Sequence, residues 1–494
     1  MRKKLPIFYS ALLLTGVNLL LRFVGTSFQV YLSSRIGAEG IGLLQLVLSV
    51  GSMSLVAGMA GIRTATMYLT AEEIGRRNPQ NITWVLSGCT LYSVLISSAI
   101  SAGVYYFAPV LADKWIGNVS TFSAIRLYAA FLPVNCLTGV MVGYFTGASR
   151  IGTLAAVEVA EQLVSMVCTI LLLAFWAGHD AVRSCQAVIM GSALGACLTL
   201  LCLLILRLRE RSETGNRIAI ARRLADTAVP LAIADDLRTG ISTVENLMVP
   251  KRLALYPGAL SPLAAFGTVC GMVFPVLMFP TAILFGLTEL LIPELARCRA
   301  AESEIRIRYL VNKSLRVALL YGTVCGGFLF LCAKELCLSL YGSHEAGTYL
   351  KWFSLLAVML YCDLITDAMI KGLGQQKASV RYNIFTNILD VTFLYVLLPR
   401  YGITGYFLSF LVTHVINFVL SIRRLIRISR VKIPLRIPIF TLLAAAISIW
   451  GAGFIAAPIA RTVSYIVMLG CLLVLLKVIS KADIAWVKGL IYKK

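Results

Sequence analysis

The chain has 494 residues, of which 59% are hydrophobic and only 14% charged, and it carries a formal net charge of +22. An average soluble domain is roughly 25% charged, so a water-soluble fold of this length could not bury its apolar surface and still cover its outside. The excess of basic residues would suit nucleic acid, but it is spread through short connections between apolar runs, and nucleic-acid binding is not expected.

The apolar runs are long and unbroken, which excludes the ten-residue alternation of a membrane β-barrel and predicts helices of about 20 residues each. In chain order they fall at residues 8–33, 40–64, 84–108, 121–146, 153–177, 184–207, 226–249, 262–290, 310–333, 349–370, 380–399, 403–422, 437–457 and 462–480. The start, Met1-Arg-Lys-Lys, looks like the basic region of a signal peptide. Its apolar stretch runs on past Val30 without a small-residue cleavage pattern, and reads as an uncleaved first helix.

The connections give the orientation. If Arg2, Lys3 and Lys4 are cytoplasmic, the cytoplasmic loops hold Arg76 and Arg77, Arg150, the Arg207–Arg223 run, and Arg297 to Arg316. Further on they hold Lys371 to Arg381, Arg423 to Arg436, and the terminal lysines. The opposite loops hold few basic residues, such as Lys114, Arg183, Lys251, Arg252 and Lys334. This is the positive-inside asymmetry, and it places both termini in the cytoplasm of a multi-pass cytoplasmic-membrane protein.

The long polar connection around Arg207–Arg223 divides the chain. Gly147-Ala-Ser-Arg-Ile-Gly, leading into helix 5, resembles Gly372-Leu-Gly-Gln-Gln-Lys, leading into helix 11, and Arg22 is as far from Arg238 as Arg35 is from Lys251. The expected architecture is therefore an all-α membrane protein of about fourteen helices, in two pseudo-symmetric six-helix lobes. These are residues 1–210 and 211–430, followed by a C-terminal pair, 431–494.

Arg22, Arg63, Arg126 and Arg238 remain inside the predicted spans. An arginine near the middle of such a helix costs roughly 2.5–3.5 kcal/mol, so it normally faces a partner or a watery cavity. Arg63 and Arg126 lie near span ends, where snorkelling serves as well, and Arg238 has Asp235 three residues away. A guanidinium fork matches phosphate oxygens, so a central cationic cavity would suit a phosphorylated cargo.

Acidic and amide groups also cluster: Asp235, Asp236 and Glu245 on helix 7, Glu158 and Glu161 on helix 5, and Asn383, Asn387 and Asp390 on one face of helix 11. Asp235, Asp236, Asn383, Asn387 and Asp390 offer hard oxygens for a coupling sodium ion or proton. The alternative is a buried hydrogen-bonded network that only fixes packing.

No catalytic constellation is present. His179, His344 and His414 have no ligand-spaced partners, there is no phosphate loop ending in Lys-Ser/Thr, and the thirteen cysteines form no Cys-x-x-Cys pair. No cofactor is expected beyond a sodium ion, no enzymatic activity, and a monomer.

Several segments, in order from about residue 8 to 420, resemble the stage V sporulation protein B and polysaccharide-exporter family. They are Gly25 with Tyr31-Leu-Ser-Ser-Arg-Ile-Gly-Ala-Glu-Gly-Ile-Gly-Leu-Leu-Gln, Val249-Pro-Lys-Arg-Leu, Pro275 with Phe279-Pro, Leu291-Ile-Pro-Glu-Leu, Gly372-Leu-Gly-Gln-Gln-Lys, and Leu398-Pro-Arg-Tyr-Gly-Ile-Thr-Gly.

The resemblance implies the superfamily of multidrug extruders, oligosaccharide–lipid exporters and the lipid II flippase. It also implies a bundle that rocks between inward- and outward-open forms, and a cargo of polyprenyl-diphosphate-linked sugar or peptidoglycan precursor. In the lipid II flippase branch, cavity arginines on helices 1, 2 and 8 are thought to hold the diphosphate. Arg22, Arg35 and Arg63 match the first two helices; helix 8 has no arginine in its core, and Arg238 on helix 7 stands in. Sodium in some relatives lies between helices 7, 11 and 12, with Asp236, Asn383 and Asn387 as counterparts here. The competing readings are a cation-coupled drug extruder, which would want an acidic residue where helix 1 has Arg22, and a non-transporting scaffold of sporulation or wall assembly.

Overall fold

The computed structural model describes residues 7–76, 79–178, 180–209, 220–258, 261–431 and 434–478, and among them every regular element is helical. With no water available in hydrocarbon, a helix satisfies its own backbone groups, and the composition leaves the chain little choice.

The helices are α1 (Ile7–Met59), α2 (Ile62–Gly75), α3 (Ile82–Val110), α4 (Phe122–Gly147), α5 (Ile151–Leu172), α6 (Ala181–Leu208), α7 (Ile220–Leu253) and α8 (Pro262–Thr268). They continue as α9 (Phe274–Met278), α10 (Thr281–Ala300), α11 (Glu304–Tyr341), α12 (His344–Ser354), α13 (Ala357–Gly372), α14 (Gln376–Ser429), α15 (Arg436–Ala452) and α16 (Pro458–Leu475).

Among the described residues, eight helical stretches are long and apolar enough to cross a membrane, and two bent pairs raise that to ten. Two of the eight are interrupted by glycine. In α1 the break is Gly37, at φ 79° and ψ 171°. In α14 it is Gly402, at φ 58° and ψ −137°, backbone that only glycine holds without strain. Asp390 and Ser409 would stand about 28 Å apart on a straight helix. They are hydrogen-bonded at 2.5 Å, so the chain folds back at Gly402 and the two halves of α14 pack together.

The other predicted segments also have helical counterparts. α15 is apolar but short, and α7 lies outside the apolar set because Asp226, Asp235, Asp236, Arg238 and Glu245 interrupt it.

The first of the two bent pairs has a local cause. α9 and α10 meet at 59° across Phe279-Pro280, and α12 and α13 at 56°. The proline cannot donate its amide and opens the ladder in front of it. The freed carbonyls find hydroxyls: Tyr361 donates to Leu277 (2.7 Å), Thr281 to Met278 (2.6 Å) and Tyr321 to Pro280 (2.8 Å). The kink is thereby satisfied inside the protein.

By internal packing the chain divides into Met1–Gly267 and Thr268–Lys494. α7 belongs to the first unit because it packs on α1, α2 and α3; the polar connection expected to divide the lobes lies at 210–219, outside the described residues. In the second unit, α15 and α16 pack on α11 and on each other, with Tyr465 fully buried and its hydroxyl donating to the Thr323 carbonyl at 2.8 Å.

An ionic clamp ties α7 to α2. Arg223 reaches Glu73 at 2.8 Å and Glu72 at 2.6 Å; Glu72 also takes Arg76 at 2.6 Å, and Asn81 donates to Glu73 at 3.1 Å. The Glu73 side chain is only 2% exposed, so its charge depends on these partners. Arg223→Ala is expected to lower stability by about 2–4 kcal/mol, because it strands a buried carboxylate. Replacing both partners, as Glu73→Leu with Arg223→Met, should recover most of that loss. Thermal melts of the purified variants check it; an Arg223→Ala protein melting with the parent would show the clamp to be idle.

Candidate functional site

In the first unit the site begins with glycines. Gly139, Gly143 and Gly147 recur every fourth residue on α4, the small-residue seam that lets membrane helices approach backbone to backbone. A Cβ at Gly143 would lie 2.4 Å from the Arg63 carbonyl, and one at Gly147 2.5 Å from the Met67 carbonyl. The face of α2 pressed on this seam buries Ile62, Thr66, Leu69 and Thr70 at helical spacing. Arg63 is left on the exposed side, where its charge acts on Glu158 of α5.

α5 also braces α1. Gln162 donates to the Leu21 carbonyl at 3.2 Å, and Gly25 leaves the space its amide occupies. Arg22, next to Leu21, is half-buried and engaged within the fold. Glu161 accepts a hydrogen bond from Thr199 of α6 at 2.8 Å.

The remaining arginines differ in setting. Arg35 is exposed near the Gly37 break. Arg238 is exposed on α7 beside an exposed Asp235, and no ion pair joins the two among the described residues. Arg126, at the start of α4, has its guanidinium 5.0 Å from the Tyr105 ring and 5.2 Å from the Phe122 ring, with Nε donating to the Tyr105 carbonyl at 3.4 Å. It is an aromatic-held end residue. Asp236 keeps Oδ1 buried without a hydrogen-bond donor, and its charge reaches the Tyr92 hydroxyl. That hydroxyl donates to the Ala60 carbonyl (3.3 Å), where Ala60 and Gly61 turn left-handed between α1 and α2.

In the second unit Asp390 is buried and receives the hydroxyls of Ser409 (2.5 Å) and Thr413 (3.2 Å). Asn383 and Asn387 are half-buried one and two turns earlier on the same helix. Sequence reasoning passed over a neighbouring pair. Asn417 donates to Asp363 Oδ2 at 2.9 Å, while Asp363 Oδ1 and Asn417 Oδ1 are both buried without a donor. An acid within a predicted span is itself a signal of function, and Asp363 carried that signal. Nearby, Asp367 pairs with Lys371 at 2.6 Å and accepts the Ser379 hydroxyl. His414 stacks on Phe410 at 3.8 Å, and its Nδ1 lies 2.9 Å from the Phe410 carbonyl, so it is a core residue.

Asp363 Oδ1 and Asn417 Oδ1 are thus two buried oxygens with no donor, one of a carboxyl and one of an amide, the oxygen types that hard cations take as ligands. No cluster of three His, Cys, Asp or Glu side chains suited to a transition metal occurs among the described residues.

No family model matches the chain. Stage V sporulation protein B of Bacillus subtilis (strain 168) is 22% identical over 468 residues, covering 92% of this chain and 89% of that protein. Among solved structures, the lipid II flippase MurJ in an inward closed conformation superposes with a TM-score of 0.68 at 11% identity, over 94% of this chain and 98% of that one. An inward-facing multidrug resistance transporter of the MATE family, MOP superfamily, gives 0.66 at 15% identity, over 84% and 96%. The chain is homologous to stage V sporulation protein B over most of its length, and it shares its all-helical fold with the MurJ and MATE transporter structures.

Proposed function

We propose that this protein is an alternating-access flippase. It moves a polyprenyl-diphosphate-linked saccharide or peptidoglycan precursor across the cytoplasmic membrane, coupled to a sodium or proton gradient. The observation that carries the reading is the basic set of the first unit: Arg22 half-buried on α1, and Arg35, Arg63 and Arg238 exposed, without an acidic residue in place of Arg22. Fixed guanidiniums recognise diphosphate and repel organic cations. The name of the MurJ neighbour, a lipid II flippase, supports the same cargo class. The oxygens of Asp363 and Asn417, with Asp236 in the first unit, support coupling to a small cation.

The likeness to a multidrug transporter of the MATE family favours a second reading, a cation-coupled drug extruder. Reconstitution into liposomes separates the two. Fluorescent polyprenyl-diphosphate precursors should exchange leaflets in the presence of the protein, faster when a sodium or proton gradient is imposed. Export of small organic cations with no movement of any polyprenyl diphosphate would overturn the flippase reading. Leaflet exchange that ignores both gradients would overturn the coupling alone.

A further inference from the structure

Three aspartates of the second unit lie on α13 and α14, and their partners differ. Asp390 receives the hydroxyls of Ser409 and Thr413 on one oxygen. Asp367 pairs with Lys371 at 2.6 Å and accepts the Ser379 hydroxyl. Asp363, one turn before Asp367 and midway along α13, has no basic side chain in contact among the described residues. Its donor is the amide of Asn417, at 2.9 Å from Oδ2. Asn417 stands on the returning half of α14, one turn beyond Thr413 on the same face.

That hydrogen bond orients the amide. With Nδ2 toward Asp363, turning the group over would set its oxygen against a carboxylate. Asn417 Oδ1 therefore stays an acceptor, and both it and Asp363 Oδ1 are buried with no donor. Buried oxygens left this way are costly, most of all on a carboxylate without a counter-charge. Acids placed so inside membrane helices mark ion paths.

We propose that the Asp363–Asn417 pair binds a sodium ion, with Asp363 Oδ1 and Asn417 Oδ1 among its ligands. One carboxylate balances one positive charge, whereas calcium and magnesium are held by larger oxygen sets. The two ligands come from different helices, so the ion ties α13 to the second half of α14 and stabilises the unit by mass action. A role for it in transport rests on the coupled-flippase reading; binding itself rests on the pair alone.

The test uses the full-length protein in detergent, melted in sodium, potassium or choline chloride at equal ionic strength, with radioactive sodium to measure binding directly. Sodium should raise the melting temperature above choline, and potassium should do so less. Asp363→Asn should abolish both sodium binding and the shift. With no buried charge left to offset, it should melt in choline at or above the parent. Asn417→Ala keeps the carboxyl and should weaken sodium binding by about tenfold or more; it carries the test if Asp363→Asn does not fold. Sodium binding that survives both variants would overturn the proposal. So would equal melting of the parent in sodium and potassium, or a stabilisation that follows pH alone. Sodium binding that depends on Asp363, in a protein whose leaflet exchange ignores a sodium gradient, would uphold the site and overturn the coupling instead.

Discussion

Replacing Gly143 by leucine is expected to cost about 3 kcal/mol or more, and to leave little folded protein after extraction from the membrane. The added Cβ would lie 2.4 Å from the Arg63 carbonyl and 3.1 Å from the Thr66 Cβ. A flexible side chain could swing away from such a clash, but a helix backbone cannot. Relief therefore needs the whole of α2 to move off α4. That movement would open the buried cluster of Ile62, Leu69, Val85, Tyr144 and Phe145, which joins α2, α3 and α4. Each of these side chains packs only while the two helices stay in close approach, so the loss is cooperative. Gly103 supplies the control: nothing lies within 4 Å of its missing Cβ, so Gly103→Ala should be neutral or slightly stabilising. Size-exclusion yield and thermal melts of the two variants, side by side, check the contrast. A Gly143→Leu protein that melts with the parent would mean that α2 is not held by this seam.

The helices were legible because the bilayer imposes one rule on all of them. A run of apolar residues between basic loops satisfies its backbone as a helix, and among the described residues every predicted segment has a helix over it. α7 is the segment where apolarity and charge pattern point different ways. Its mid-helix acids and Arg238 keep it out of the apolar set, yet a helix lies where the alternation of basic loops leads one to expect a crossing. The sites were less legible, because their partners are far apart in sequence. Arg223 and Glu73 are 150 residues apart and Asp363 and Asn417 54 apart, and nothing in composition or periodicity links either pair. The Asn383, Asn387 and Asp390 face was readable from helical spacing. That Asp390 is met by Ser409 and Thr413 depends on the chain turning back at Gly402, which spacing along one helix does not encode.

Arg63→Ala is expected to slow transport of a polyprenyl-diphosphate cargo by at least about tenfold, since a charge-assisted hydrogen bond to phosphate contributes roughly 1.5–3 kcal/mol. Two roles for this residue have to be separated. Its guanidinium is exposed on α2, available to a cargo, and its charge also acts on Glu158, a half-buried acid of α5. If the arginine served only to offset Glu158, removing both charges would be harmless, and Arg63→Ala with Glu158→Gln would transport like the parent. If it holds the diphosphate, the double variant stays as slow as Arg63→Ala, because neutralising Glu158 supplies no donor. Arg63→Lys sharpens the distinction. An ammonium would still offset Glu158, but as a compact point charge it cannot present the paired donors of a guanidinium, so transport should remain depressed. Leaflet-exchange rates of the four proteins in liposomes, with melting temperatures to confirm equal folding, give the answer. Recovery in the double variant would remove Arg63 from the cargo site and leave Arg22 as the first unit's remaining candidate away from exposed helix faces.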